Sequence, residues 1–171
     1  MKRKSIFLFV IAIAFLSTFN VTAQKKSKGN NRMSQNQNPQ QIVESMFAAF
    51  NRHDVEAMAA LYSDDAFIDS PDFDAPKRGQ QAIREIYTKY FRQTPDIRDD
   101  VKSIVACGDK VFVEFVSSGT IENPPSYAPP QMKGKKFAVK MVSVLEIKNG
   151  KIVRDVIYYN QLSFLKQIGA M

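Results

Sequence analysis

Apolar residues recur along this chain in three rhythms, and each rhythm marks a different kind of segment. The first is continuous. Ile6 to Leu16 is an unbroken apolar run behind Lys2, Arg3 and Lys4, and the polar stretch after it ends in Val21-Thr22-Ala23. Basic head, short apolar core and small-residue exit are the parts of a secretory signal, so residues 1–23 are expected to be a cleaved signal peptide. The run is shorter than the about 20 residues that cross a bilayer, and stable membrane insertion after cleavage is not expected. Residues 24–38, rich in Gln, Asn, Lys and Ser, show no rhythm at all. Such a segment cannot bury enough apolar surface to offset its ordering entropy, and it reads as a disordered polar tether.

The second rhythm is helical. Ile42, Val43, Met46, Phe47 and Phe50 share one face of a helix that starts near Pro39 and ends near Asn51. Asp54 stands where an N-cap belongs, and Val55, Met58, Ala59 and Tyr62 follow at helical spacing. Ser63-Asp64-Asp65 is expected to end that helix, with Ala66 to Ser70 a short strand and Pro71 to Gly79 a loop. A third helix, from about Gln80 to Arg92, carries Ile83, Ile86, Tyr87, Tyr90 and Phe91 on one face.

The third rhythm is alternation. Val101 to Cys107 and Val111 to Thr120 flank the turn signal Gly108-Asp109; Phe137 to Ile147 and Lys151 to Tyr159 flank Asn149-Gly150. Glu122 to Lys136, with four prolines, is unsuited to a central strand. Leu162 to Ile168 is a short apolar end that can cover one mouth of the structure. Helices first and antiparallel strands later predict an α+β layer, with three N-terminal helices on one face of a curved, mostly antiparallel sheet. The domain spans 39–171.

Charge changes less than it promises. The formal net charge is +7, but seven of the 24 basic residues precede Asn38 with no acidic residue among them, leaving 17 basic against 17 acidic. The folded part is neutral overall and has no surplus to neutralise phosphates, so no nucleic-acid partner is expected. Cys107 and His53 are the only cysteine and histidine. They exclude an internal disulfide and a structural zinc site, and no metal or cofactor is expected. His53, between two helices, is read as exposed, and Cys107, at a strand end, as buried and inert.

Several short motifs fall in a telling order: Phe50-Asn51-x-x-Asp54, Leu61-Tyr62-x-Asp64-Asp65-Ala66, Ser70-Pro71, and Gly79-x-x-Ala82-Ile83. Later come Pro129-Pro130 with Gly134-Lys135-Lys136, then Asn149-Gly150-Lys151-Ile152, then Leu165 to Gly169. Together they resemble the nuclear transport factor 2-like superfamily, and within it the SnoaL-like, polyketide cyclase-like branch, over about Gln40 to Gly169. The resemblance implies a cone: a bent sheet wrapped around helices, with an apolar pocket at its open end.

Ketosteroid isomerases on this cone use an aspartate base, an acidic oxyanion donor and a tyrosine. Carried over, those positions are Ser70, Ser143 and Met46. The cyclases use an aspartate on the last strand with a histidine on the one before, positions that here are Ile157 and Ser143. None of these can abstract a proton unaided near neutral pH. No catalytic set is therefore assigned, and Asp69, beside the vacated base position, is the weak candidate. Alternation turns Asp69 away from Ser70, so a solvated or turn-capping carboxylate is the plainer reading. Asp69, Asp72 and Asp74 form a D-x-x-D-x-D cluster that lacks the glycine and bidentate acid of a calcium loop, and they read as a solvated loop.

The expected pocket wall combines Met46 and Phe50 from the first helix with Tyr62, Tyr87 and Phe91 from the next two. Ser70, Ser143 and Ile157 are placed there by the resemblance, and Val113 and Met141 are counted with them. For the helical aromatics, plain core packing is the default. Tyr159 shares alternation with Ile157, so its hydroxyl faces inward and can orient a ligand. Asn160 is expected to cap the last helical segment. These positions predict an exported domain that binds a small, largely apolar molecule. Two rivals remain: an isomerase, dehydratase, hydrolase or cyclase using groups such as Asp69 and Tyr159, and an interaction module using the outer sheet face. Phe112, Glu114, Val116, Val142, Val144, Val156 and Tyr158 alternate onto that outer face, and a homodimer through it is expected.

Overall fold

The computed structural model describes residues 38–171. The expected signal peptide (1–23) and all but the last residue of the expected tether (24–38) lie outside the described residues. Helix α1 (Pro39–Asn51) begins with proline at its first position and with the Asn38 side chain accepting from the Gln40 N–H at 3.1 Å. Helix α2 (Val55–Leu61) is capped by Asp54, whose carboxylate accepts from the Ala57 N–H at 2.9 Å. Each such cap satisfies an otherwise orphaned amide and contributes about 1 kcal/mol.

Strand β1 (Tyr62–Asp69) follows without a break, then the two-residue β2 (Lys77–Arg78) and helix α3 (Gly79–Gln93). β1 begins four residues before the expected Ala66, and Ser63 to Asp65 are strand, not helix end. The cause is tertiary. Tyr62 is fully buried, its phenol held from β6 and its carbonyl accepting from Gln80 Nε2 at 2.9 Å, so the chain extends at Tyr62. Gly79 takes φ +81°, and a Cβ there would meet the Asp64 carbonyl at 2.9 Å, so this tight entry into α3 needs glycine.

The remaining strands are β3 (Arg98–Cys107), β4 (Lys110–Thr120), β5 (Lys136–Lys148) and β6 (Lys151–Tyr159), with a 3-10 turn at Pro130–Met132 before β5. Helix α4 (Gln161–Gln167) closes the chain, and Asn160 caps it by accepting from the Ser163 N–H at 2.9 Å. Both expected two-residue turns form. Gly108 has φ +61° between Cys107 and Lys110, and Asn149 and Gly150 have φ +50° and +74° between Lys148 and Lys151. Positive φ at both central residues is the twist-matched hairpin turn.

The sheet runs β2-β1-β6-β5-β4-β3, antiparallel except where β1 meets β6. Register shifts in β3 between Val101 and Ser103, and in β6 at Val153 opposite Glu146 and Ile147 of β5, mark bulges that increase local twist and bend. α1 packs on β3 and β4, α3 on β1, and α2 on both helices. The expected face of α1 is buried, with Phe47 edge-on to Phe115 of β4 at 5.0 Å between centroids. Phe50, also buried, packs edge-on against Tyr87 and Phe91 of α3 at 5.9 and 5.3 Å between centroids, and Phe50→Ala would cost about 3–5 kcal/mol. The curved sheet stays open, and the α+β cone expected from the sequence is the architecture observed.

Two single residues differ from expectation. Cys107 is exposed, because β3 is an edge strand whose last residues run beyond the helices. His53 is half-buried: a left-handed turn (φ +57°) swings its ring onto Phe91, stacked at 4.3 Å, with Nε2 3.0 Å from the Ile97 carbonyl.

Candidate ligand pocket

A cavity of about 420 Å³ opens between the helices and the inner face of the sheet, within the size range of small-molecule sites. Three aromatic-rich elements wall it: α1 through Met46, Phe47 and Phe50, α3 through Tyr87 and Tyr90, and β4–β5 through Phe115, Phe137 and Met141. The proline-rich segment before β5 arches over the mouth with Pro125, Tyr127, Ala128, Pro129 and Met132, and α4 adds Phe164 and Ile168. Four prolines restrict that segment, as its composition implied.

Of the expected wall, Met46, Phe50, Ser70, Tyr87, Met141, Ser143, Ile157 and Tyr159 line the cavity. Three do not. Tyr62 is buried behind Asp155, Val113 is covered by α1 in the core, and Phe91 packs between Phe50 and His53. Asp69 is not part of the wall either; its carboxylate accepts from the Ser70 N–H at 2.9 Å. That is the turn-capping role alternation favoured, with Ser70 turned inward. Among the described residues no three His, Cys, Asp or Glu side chains gather around a common point.

The cavity holds three carboxylates that reasoning from the sequence did not place there. Asp155, on β6 in phase with Ile157 and Tyr159, is 1% exposed. Ser143 Oγ donates to its Oδ1 and the Tyr62 phenol to its Oδ2, the latter at 2.8 Å. Burial pushes the Asp155 carboxyl up, and the two hydroxyls work against the shift. Burial raises the Tyr62 phenol as well, reinforced by Asp155, so that phenol remains a proton donor.

Asp99, on β3, is 9% exposed. Its backbone is clamped by Asn51 at the end of α1. The Asn51 amide donates to the Asp99 carbonyl and accepts from its N–H, both at 2.9 Å. This side chain serves as a short strand partner and fixes where Asp99 points. Among the described residues, Asp99 Oδ1 is the one buried side-chain polar atom without a hydrogen-bond partner. Burial pushes its carboxyl up to about 7, opposed only by the Ser117 hydroxyl across the strand pair.

Asp72, at the mouth, accepts from the Tyr90 phenol at 3.1 Å, from the Tyr159 phenol, and from Ser70 Oγ at 3.4 Å. Desolvation, then the Asp72 charge, keeps the Tyr90 phenol protonated; for Tyr159, desolvation is followed by its hydrogen bond to Asp72. Tyr159 therefore faces inward as alternation required, and its hydroxyl is engaged by Asp72.

The SnoaL-like domain family matches residues 43–155. With the cone and its pocket in the same span, this chain belongs to that family. No curated protein matches it. Among solved structures it is similar to IdmH, "a putative polyketide cyclase" from Streptomyces antibioticus, at 26% identity and a TM-score of 0.67, covering 78% of this chain and 99% of that one. A protein with ketosteroid isomerase-like fold from Catenulispora acidiphila, solved in complex with trimethylamine, is 25% identical with a TM-score of 0.64, covering 76% and 93%.

No helix among the described residues is long and apolar enough to cross a membrane.

Proposed function

We propose that this chain is an exported protein whose cone binds a small, largely apolar molecule. The observation that carries this reading is the cavity itself: about 420 Å³, walled mainly by aromatic and aliphatic side chains, with a few fixed polar groups. The complex of the Catenulispora relative with a small amine agrees with a small-molecule role for such domains. The export half rests on the N-terminal pattern, and a mature mass beginning at Gln24 is its measurement. For binding, the neutral fluorophore N-phenyl-1-naphthylamine should brighten at 1:1 stoichiometry. Ile157→Trp, which fills the wall, should abolish the signal. Equal brightening by wild type and filled variant would place the probe elsewhere and sink the reading.

A second reading, proton-transfer enzyme, is favoured by one specific observation. Asp99 is a wall carboxylate held near neutral pH, where a general base works best. The positions of the familiar family groups are vacant, but carboxylates enter from other strands. A β,γ-unsaturated ketone is the probe here. Conjugation above buffer rate that disappears in Asp99→Asn supports the enzyme; no turnover leaves the binding reading alone. The outer face of the sheet is assigned, in the same proposal, to a second copy of this chain.

A further inference from the structure

Three properties of the pocket do not fit a plain apolar receptor. Its buried interior holds two carboxylates, Asp99 and Asp155, while the one cation of the wall, Lys89, stands exposed on the surface of α3. Asp155 is fully engaged by two hydroxyls, whereas Asp99 keeps one oxygen without a partner. A carboxylate oxygen buried without a partner has given up its water without replacing it, which is unfavourable. Slack cannot explain it, because Asn51 holds the Asp99 backbone at both its N–H and its carbonyl.

The surroundings of that oxygen narrow what could satisfy it. An anion is repelled by Asp72, Asp99 and Asp155. A hard metal ion needs six or more oxygens, and among the described residues no acidic cluster offers them. A neutral apolar body fills the volume but leaves Oδ1 unsatisfied. What remains is a donor group on a greasy body, and a wall of three carboxylates against one exposed lysine favours a positively charged one. The elements flanking Asp99 carry rings for it: Phe47 and Phe50 on α1, Tyr87 on α3 and Phe115 on β4 all line the cavity. Aromatic faces attract an organic cation through the negative face of the ring quadrupole. At the mouth, Asp72 between Tyr90 and Tyr159 repeats the combination of carboxylate and rings on the entry path.

We propose that the ligand of this cone is an organic cation, an amine or quaternary ammonium on an apolar body, with Asp99 as its counter-ion. The proposal rests on the binding reading and names its ligand class. Placing the positive group beside Asp99 pairs the one buried carboxylate oxygen that the fold leaves open. The apolar remainder of the ligand lies against Met141, Ile157 and Phe137.

The test is a matched pair of probes on the mature domain: phenyltrimethylammonium and its neutral isostere tert-butylbenzene, compared by calorimetry at pH 8. The cation should bind at least about tenfold tighter, the size of one favourable charge contact. Asp99→Asn should erase that preference while still binding tert-butylbenzene, which shows that the pocket has folded. Asp72→Asn should weaken the cation less than Asp99→Asn does. Isostere binding as tight as the cation would overturn the charge assignment and leave the pocket reading standing. Failure of both probes to bind at millimolar concentration would remove both.

Discussion

On the inner face of β4, β5 and β6, Ser117, Ser143 and Asp155 sit out of reach of bulk water, at 4%, 2% and 1% exposure. On the outer face of the same strands, Phe112, Val142 and Tyr158 stand in it, at 41%, 40% and 56%. The register makes each set contiguous. Phe112, Val144 and Val156 form one row, in which Val144 is half-buried and Val156 is buried, and Glu114, Val142 and Tyr158 form the next. Exposed Val105 extends the first row from β3. Each face of the sheet thus carries a few residues that run against the usual sorting. Burying a polar group is unfavourable unless it is paired, and exposing a contiguous apolar patch is unusual unless it is covered. Inside, the proposed small ligand of the cone would account for it. Outside, the proposed second copy of this chain would.

The largest expected effect breaks the inner side. Asp155→Ala leaves the Tyr62 and Ser143 hydroxyls buried without an acceptor, and urea unfolding should show a loss of about 3–5 kcal/mol. The combination Tyr62→Phe, Ser143→Ala and Asp155→Leu removes every polar partner at once and should recover most of that loss. If the triple variant is as unstable as the single, the network is not the self-contained unit described.

Next comes pH. The folded Asp99 carboxyl titrates near 7, against an ordinary value near 3.9 in the unfolded chain. A raised acid binds its proton more tightly when folded. Its contribution is therefore complete below about pH 4 and is lost as pH rises towards 7, at up to about 1.4 kcal/mol per unit. Asp155 acts in the same direction, while the lowered carboxyls of exposed Asp96 and half-buried Glu146 oppose it. The titratable neighbour of Asp99 is Tyr87, which burial keeps protonated throughout. Stability measured from pH 4 to 8 should fall by about 3 kcal/mol, and Asp99→Asn should flatten most of that slope.

Breaking the outer side should have a small effect on the fold and a large one on assembly. Val142→Glu sets a second carboxylate directly opposite Glu114 across the β4–β5 pair. Light scattering should show the particle mass halved, with unfolding of the monomer changed by less than about 0.5 kcal/mol. A wild type already monomeric at micromolar concentration would show that the outer face is covered by something else or by nothing. Smallest is Ser117→Ala, which removes the hydroxyl opposing the Asp99 shift and should move its titration midpoint upward.

Much of this molecule was legible in its sequence because helical and alternating rhythms are local. They placed α1 to its last residue, both two-residue turns, and the inward row Met141, Ser143, Ile157 and Tyr159. The carboxylates were not legible for the opposite reason. Alternation puts Asp155 in phase with Ile157, yet an aspartate beside Arg154 reads as solvated until Tyr62, 93 residues away, is seen to cover it. Asp99 precedes the expected start of β3, and what buries and clamps it is Asn51, a contact across 48 residues. His53 and Cys107 went astray in the same manner: the first is folded back onto Phe91 by a left-handed turn, and the second is stranded on an edge the helices do not reach.

The inner face makes one claim that can be read at a single atom. A carbon-13 label on the aspartate carboxyls, assigned through Asp99→Asn, lets the Asp99 titration be followed in the free domain and again with saturating phenyltrimethylammonium. A free midpoint near 7 that falls by a unit or more (about 1.4 kcal/mol) when the cation is bound is the result expected of a buried carboxylate waiting for its counter-ion. An Asp99 that titrates in the ordinary carboxylate range when free, or does not move when the cation is added, would contradict it.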